Sequence, residues 1–341
     1  MPRNVLIGIL TAALACLLAV GGFAGMAAML GAPDPADADR QAFEVVRGES
    51  FRQVASRLEE AGFIRSKTAF RLLGDVRDAD RQLKAGYYSL SRSMAADQVL
   101  RQLISGGDQV RVTIPEGWEM AQIAMLMETK RLAGADQFLA GAADVAPHLA
   151  RHAWLAALPP GATLEGFLFP DTYSVSGGAL SVQSLIGMML ARFEEVAWQK
   201  IKDGSGNLSA FQIVTLASIV EREAVKPDER PLIAGIYLNR LRIGMKLGAD
   251  PTVEYVLRRR QDATHNLTLA DVSVDSPYNT YKYRGLPPGP IANPGLASIE
   301  ATLAPAHSDY LYFVAKGDGA HAFSRTYGEQ RSAQRRYQRH R

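Results

Sequence analysis

Apolar residues follow two regimes along this chain. Between Asn4 and Pro33 there is no charged side chain. A helix over the run from Val5 to Leu30 would be about 39 Å long, enough to cross a hydrocarbon core of about 30 Å with some tilt. The run fits a membrane span or a signal peptide; a signal peptide has a shorter apolar core and a small-residue cleavage site, so length favours an uncleaved anchor over residues 1–33. Arg3 precedes it and "DPADAD" follows, which places the N-terminus in the cytoplasm and the rest outside the membrane. A linker over 34–43 then leads to periodic sequence.

In "FEVVRGESFRQVASRLEEAGFI" the pattern predicts a strand at Val45 and Val46, a turn at Gly48 and a helix capped by Ser50. The apolar face of that helix is Phe51, Val54, Ala55 and Leu58. A further helix, a strand in "GYYSL" and a helix ending at Gly106 complete a small α+β subdomain over 44–110. The same offsets return 69 residues on, where Gly117, Met120, Ile123 and Ala124 stand as Gly48, Phe51, Val54 and Ala55 do. Two copies make a duplicated strand–turn–helix, not a solenoid.

From Ser209 the signals sharpen. Ser209 and Gln212 form a capping box that opens a helix running to about Ala224. Asp228 and Pro231 predict the start of a second helix, which ends at Gly244. Asp250 opens a third. "SPYNTYKYRGLPPGPIANPG" is too rich in Pro, Gly and Asn for regular structure and predicts a long loop of defined turns. Two strands about the "GDG" turn close the pattern. The whole predicts an α+β protein: an anchor, the small subdomain, and a mixed α/β domain over 111–341 built on a buried helix.

Composition narrows this only a little. The 341 residues are 47% hydrophobic and 21% charged, which describes a chain that folds, with room for about two domains. A net charge of +3, with its basic residues concentrated in the terminal "RSAQRRYQRHR", does not describe a nucleic-acid binder. The single cysteine, Cys16, lies in the apolar run, so neither an intrachain disulfide nor a cysteine metal site can form. His148 and His152 have the i, i+4 spacing of metal ligands but lack the glutamate of H-E-x-x-H, and no metal site is expected there.

The candidate for chemistry is Glu221. The Ser209 helix is apolar nearly all round, which predicts burial, and Val214, Ala217, Ser218 and Glu221 share one stripe. A desolvated carboxyl there has the properties of a general acid, and a structural ion pair with Arg222, Arg230 or Arg240 is the alternative. Glu223 lies two residues on, on another face, so the two are not a ready-made pair. No second carboxylate is obvious in the sequence.

"ASIVERE", "IYLNRLRIGMKLGADPTVEY", "SPYNTYKYRGLPPGPIANPG" and "YLYFVAKGDGAHAFS", in this order, with "LEGFLFPDTY" upstream, closely resemble the YceG-like family of endolytic murein transglycosylases. The likeness is strongest over 164–327, and the segment around "GES" resembles a LysM-like module. The resemblance implies that Glu221 is the catalytic acid/base in cleavage of the β-1,4 bond between N-acetylmuramic acid and N-acetylglucosamine. Capture by the C6 hydroxyl of the sugar then leaves a 1,6-anhydro end, so one carboxyl group serves both steps and no cofactor or metal is needed. Asn239, Asn279, Tyr281 and Glu165 become candidate substrate-binding residues. The implied partners are peptidoglycan glycan strands, the membrane and peptidoglycan synthases, at the bacterial inner membrane. Two other functions stand beside this: an anchored adaptor that binds peptidoglycan without cutting it, and a pyridoxal-phosphate lyase, for which the sequence shows no phosphate cup beside a lysine.

Overall fold

The computed structural model describes residues 25–46, 48–106, 109–176, 182–204, 207–258 and 267–337. The predicted anchor lies almost wholly outside them; its last described part, residues 25–30, is helical. Among the described residues no helix is long and apolar enough to cross a membrane. The architecture is α+β, and the chain forms two compact units, 1–112 with 174–181, and 113–173 with 182–341.

The first unit is built on a four-stranded sheet of β1 (Gln41–Val45), β2 (Gly86–Leu90), β3 (Gln109–Thr113) and β4 (Thr172–Ser176). The order is β1-β2-β4-β3, with β1 antiparallel to β2 and β2 parallel to β4. Between β1 and β2 lie α1 (Phe51–Glu60), α2 (Lys67–Val76) and a single helical turn at Ala79–Gln82, and α3 (Ala96–Ser105) follows β2. Ser50 and Gln53 close a full capping box on α1, an arrangement of the kind worth about 1 kcal/mol. The face predicted from the 3.6-residue period, Phe51, Val54, Ala55 and Leu58, is the buried one. Phe51 stacks on Phe70 with ring centroids 5.2 Å apart. Gly74 in α2 makes room for that ring, because a Cβ there would fall 2.1 Å from Phe51 Cε1. Strand β4, which the sequence pattern does not single out, joins this sheet from far along the chain.

The second unit is mostly helical. It contains α4 (Met120–Thr129), α5 (Ala135–Ala143), α6 (Val182–Phe193), α7 (Ala210–Glu223), α8 (Arg230–Arg242), α9 (Asp250–Leu257) and α10 (Leu296–Leu303). A hairpin of β5 (Tyr312–Ala315) and β6 (His321–Ser324) and the final helix α11 (Tyr327–Tyr337) complete it. Helix α7 is its axis: every residue from Ile213 to Val220 is buried, with α8, α9 and α10 packed around it. Leu216, Ile219 and Val220 of α7 meet Ile233, Ala234 and Tyr237 of α8 in one core.

Helix α8 starts later than the sequence predicts. Pro227–Glu229 forms a separate 3-10 turn, the α-helix begins at Arg230, and Asp228 makes no capping bond. Glu229 is drawn away to His321, accepting from its backbone N–H at 3.0 Å and meeting its Nδ1 at 2.6 Å. That contact ties the start of α8 to the hairpin.

Candidate active site

The sequence sets a loop against one stripe of α7, and that packing explains the small residues on the stripe. Val214 approaches Gly166, whose φ of +90° and close neighbour Pro290 leave no space for a side chain. One turn on, Ser218 Oγ accepts the N–H of Ile291 at 3.0 Å. At the end of the stripe Glu221 Oε2 accepts the N–H of Gly295, also at 3.0 Å. The segment Pro290–Gly295 thus runs alongside the helix, and the space above Ala217 and Ser218 is filled by backbone.

The last three charged residues of α7 point in three directions, as steps of about 100° around a helix require. Glu221 Oε1 accepts from Arg230 Nη2 at 3.4 Å, and its side chain is 6% exposed. Arg230 also donates to Ser298 Oγ of α10 at 3.1 Å. Arg222 bridges Glu119 and Glu254, both at 3.1 Å. Glu223 accepts the hydroxyl of Tyr237 at 2.6 Å. Burial, with the charge of Asp250 second, pushes the Glu223 carboxyl up to about 8. Both expectations for Glu221 are therefore met at once: it is removed from water, and it is paired with an arginine.

Sequence reasoning missed the second carboxylate. Glu116 stands against Gly295, where a Cβ would fall 2.0 Å from its Oε1. Burial first, and the charge of Glu221 second, raise the Glu116 carboxyl, while Arg230 opposes them. Its segment is pinned to the loop: Gly117 N–H donates to Asn293 O at 2.9 Å, and Asn293 N–H to Trp118 O at 2.8 Å. The "PEGW" turn gave no sign of this in sequence, because its partner lies about 180 residues away and neither segment is periodic.

Asn293 was missed for the same reason. It is fully buried, and its Oδ1 accepts from Gly166 N and Leu168 N, both at 2.9 Å. Its Nδ2 donates to Trp118 O at 2.9 Å and to Glu165 Oε1 at 3.0 Å.

The other candidates are placed as follows. Glu165 is buried and accepts the N–H of Met120 at the start of α4, at 2.9 and 3.1 Å for its two oxygens. Asn239 donates to Ser308 O and Tyr310 O, and the fully buried Asn279 to Val272 O and Val274 O. Both amides thus hold loop backbone, and neither directs a free donor at a ligand. The Tyr281 hydroxyl donates to Asp250 at the start of α9. His152 Nδ1 lies 3.0 Å from Glu194. Two recesses flank the proline-rich loop, one of about 370 Å³ walled by residues between Pro277 and Pro288, the other of about 180 Å³ with Glu165, Phe211 and Tyr278 in its walls. Glu221 lines neither.

Burial raises Glu165 from the ordinary 4.5 to about 8, the contacts with Met120 and Asn293 opposing it. Between those values the folded protein holds a proton that the unfolded chain has released, so this stabilising contribution is present below about 4.5 and lost as pH rises to about 8. Glu165→Gln, neutral throughout, is expected to flatten the fall of Tm between pH 5 and 8. Thermal melts across that range would show it, and an unchanged slope would count against the buried proton.

The end of α7 in this α+β protein thus holds a buried carboxyl group, met by a loop N–H and a guanidinium and faced by a second carboxyl. The YceG-like family model matches residues 43–336, and the chain belongs to that family. It is 34% identical to an endolytic murein transglycosylase of Streptococcus pneumoniae R6 over 88% of this chain, and spans 59% of that relative's length. An endolytic murein transglycosylase of Bacillus subtilis 168 is 33% identical over 85% of this chain and 82% of its own. The crystal structure of a yceG-like protein from Listeria monocytogenes, 33% identical, matches with a TM-score of 0.57 over 86% of this chain and 98% of that one.

Proposed function

We propose that this chain is an endolytic murein transglycosylase that cuts the β-1,4 bond between N-acetylmuramic acid and N-acetylglucosamine within glycan strands. The observation that carries the reading is Glu221: a carboxyl on a buried helix, fixed from a glycine-rich loop and an arginine, in a family whose named relatives are endolytic murein transglycosylases. In this reading Glu221 gives its proton to the glycosidic oxygen as the C1–O4 bond breaks. The C6 hydroxyl then bonds to C1 and returns its proton to the same carboxylate. No water is consumed, and the product carries a 1,6-anhydro ring.

Glu221 is nearly closed off, so binding has to open this end of α7. Of its two contacts, the one to Arg230 is the longer and gives way more easily. The two recesses along the proline-rich loop are of a size to take sugar rings, and in this reading they hold parts of the glycan strand. The adaptor reading keeps the recesses but gives no reason for a buried carboxyl between an arginine and a second acid.

The same proposal places the chain at the membrane, tethered by the apolar run after Arg3 with the second unit outside. In the first unit two helices and a further helical turn between a strand and its antiparallel partner support a LysM-like role in holding glycan. Purified full-length protein in detergent, given uncrosslinked glycan strands, is expected to release anhydro-ended products several disaccharides long. Single anhydro-disaccharides from the earliest times would refute endolytic cutting, and water-terminated reducing ends would refute the transglycosylase step. External protease on spheroplasts tests the topology, since complete protection of the chain would reverse it.

A further inference from the structure

Lys282, Tyr283 and Arg284 stand together in the proline-rich loop, and the fold treats them differently. Lys282 Nζ and the Tyr283 hydroxyl both donate to Asp275 Oδ1, at 2.8 and 2.7 Å. Asp275 thus offsets the lysine and fixes the phenol ring by its far end. Arg284 has no such counterpart: among the described residues its guanidinium makes no hydrogen bond and no ion pair. It is exposed, and it lies just past the end of α8, its Nη1 3.8 Å from where a Cβ on Gly244 would stand. The negative end of that helix favours a cation there without neutralising it. Tyr283 and Arg284 both wall the larger recess, whose volume of about 370 Å³ is in the range of small-ligand sites. Pro277, Leu286 and Pro287 give the rest of it an apolar lining, and a Cβ on Gly285 would meet nothing within 4 Å, so the space beside Arg284 is open.

We propose that this recess seats a muramyl residue of the strand, with the Tyr283 ring against the sugar and Arg284 paired with a carboxylate carried on that residue's lactyl arm. The backbone of N-acetylated sugars is itself neutral. Its carboxylates sit at the lactyl arms: on the stem peptide where one is attached, and on the arm itself where the peptide has been removed. A guanidinium presents a planar fork of N–H donors that matches a carboxylate, and an unpaired one at the wall of a recess selects for an anionic group over a neutral one. The Tyr283 ring is 46% exposed and already held by its hydroxyl, so little freedom is lost when a sugar packs on it. The recess is also near the chemistry. Pro288 walls both recesses, and it stands seven residues before Gly295, whose N–H meets Glu221, so at most about 25 Å separates those two backbone positions. Arg284 is therefore a specificity residue, reading the acidic arm that distinguishes the two sugars of the strand.

This inference rests on the reading of the chain as a glycan-strand enzyme. Its test compares three preparations of one uncrosslinked strand, given to full-length protein in detergent: with stem peptides intact, with every carboxylate converted to a neutral amide, and stripped of peptides by an amidase, which leaves the lactyl carboxylate. Wild type is expected to show a kcat/KM about 3- to 10-fold higher on the intact strand than on the amide form, the scale of one charge-assisted contact partly open to water. Arg284→Gln should bring that ratio close to one, Arg284→Lys should keep part of it, and added salt should erode it in wild type but not in Arg284→Gln. The stripped strand identifies the source: behaviour like the intact strand assigns the lactyl carboxylate, and behaviour like the amide form assigns the peptide. Equal cutting of intact and amide strands by wild type overturns the proposal. So does an Arg284→Gln protein that keeps the wild-type ratio, including one whose activity falls uniformly on all three. Tyr283→Ala should weaken all three alike, and wild-type values in that variant would overturn the role of the ring. If no strand is cut at all, the functional reading falls instead, and calorimetric binding of the same strands to wild type and Arg284→Gln decides the subsite by the same ratio.

Discussion

Glu221→Gln is expected to lower turnover on glycan strands by on the order of 10²- to 10⁴-fold, the usual scale for losing a positioned general acid. Gln is nearly isosteric, and its amide oxygen can still accept the N–H of Gly295. What it cannot do is give up a proton and take one back. Breaking a buried ion pair ordinarily destabilises, because the surviving charge is left without its counterpart. Here Arg230 keeps Ser298, and Glu116 remains as a nearby negative charge, so the melting temperature should change little. Glu223→Gln is the matched control on the same turn. Its carboxyl faces Tyr237, and Gln can still accept that hydroxyl, so activity should stay within about tenfold of wild type. Wild-type turnover in a well-folded Glu221→Gln protein would end the assignment. Unchanged glycan binding with no cutting in either wild type or variant would favour the adaptor.

Some of this was legible in the residues and some could not be. Helices α1 and α7 could be read because an apolar period, a Ser cap and a Gln three residues on all agree. The isolation of Glu223 from Glu221 follows from helix geometry alone, and the structure gives them separate partners. Helix α6 was not legible: Leu185, Ile186, Met188, Met189 and Leu190 are all buried, so its sequence carries no contrast between faces. Strand β4 is a short segment whose sheet partner Tyr87 lies far away in sequence. The site itself divides the same way. Glu221 could be found because it interrupts a pattern. Glu116, Asn293 and Gly295 come together through tertiary contacts between turns, where the sequence records only Gly, Pro and Asn. Asn239 and Asn279 run the other way: an amide in a motif suggests a ligand, but Asn239 on α8 donates to the distant carbonyls of Ser308 and Tyr310, and Asn279 to carbonyls of its own loop.

Asn293→Ala is expected to be the most damaging single change in the second unit away from its apolar core. The side chain is fully buried and makes four hydrogen bonds, two accepted from Gly166 and Leu168 and two given to Trp118 and Glu165. Truncation leaves two buried N–H groups and a carboxyl oxygen without their partner, at about 1–3 kcal/mol for each such group before any relaxation. Because the groups share one space and a water can enter the gap, the sum falls short of additive, and about 3–5 kcal/mol is expected. For a unit of this size that corresponds to a fall in melting temperature on the order of 10 °C. The change also reaches the site, because Asn293 holds the turn that carries Glu116 and Gly117 against Glu221. Activity should therefore fall even well below the new transition. Asn293→Asp separates the two effects. Its oxygens can accept from Gly166 and Leu168, but an ionised Asp meets the Glu165 oxygen instead of donating to it. That variant should be much closer to wild type at pH 5, where the buried pair can hold a proton, than at pH 8. Circular dichroism melts of both variants at the two pH values check this. An Asn293→Ala transition within about 2 °C of wild type would mean that these four bonds contribute almost nothing net.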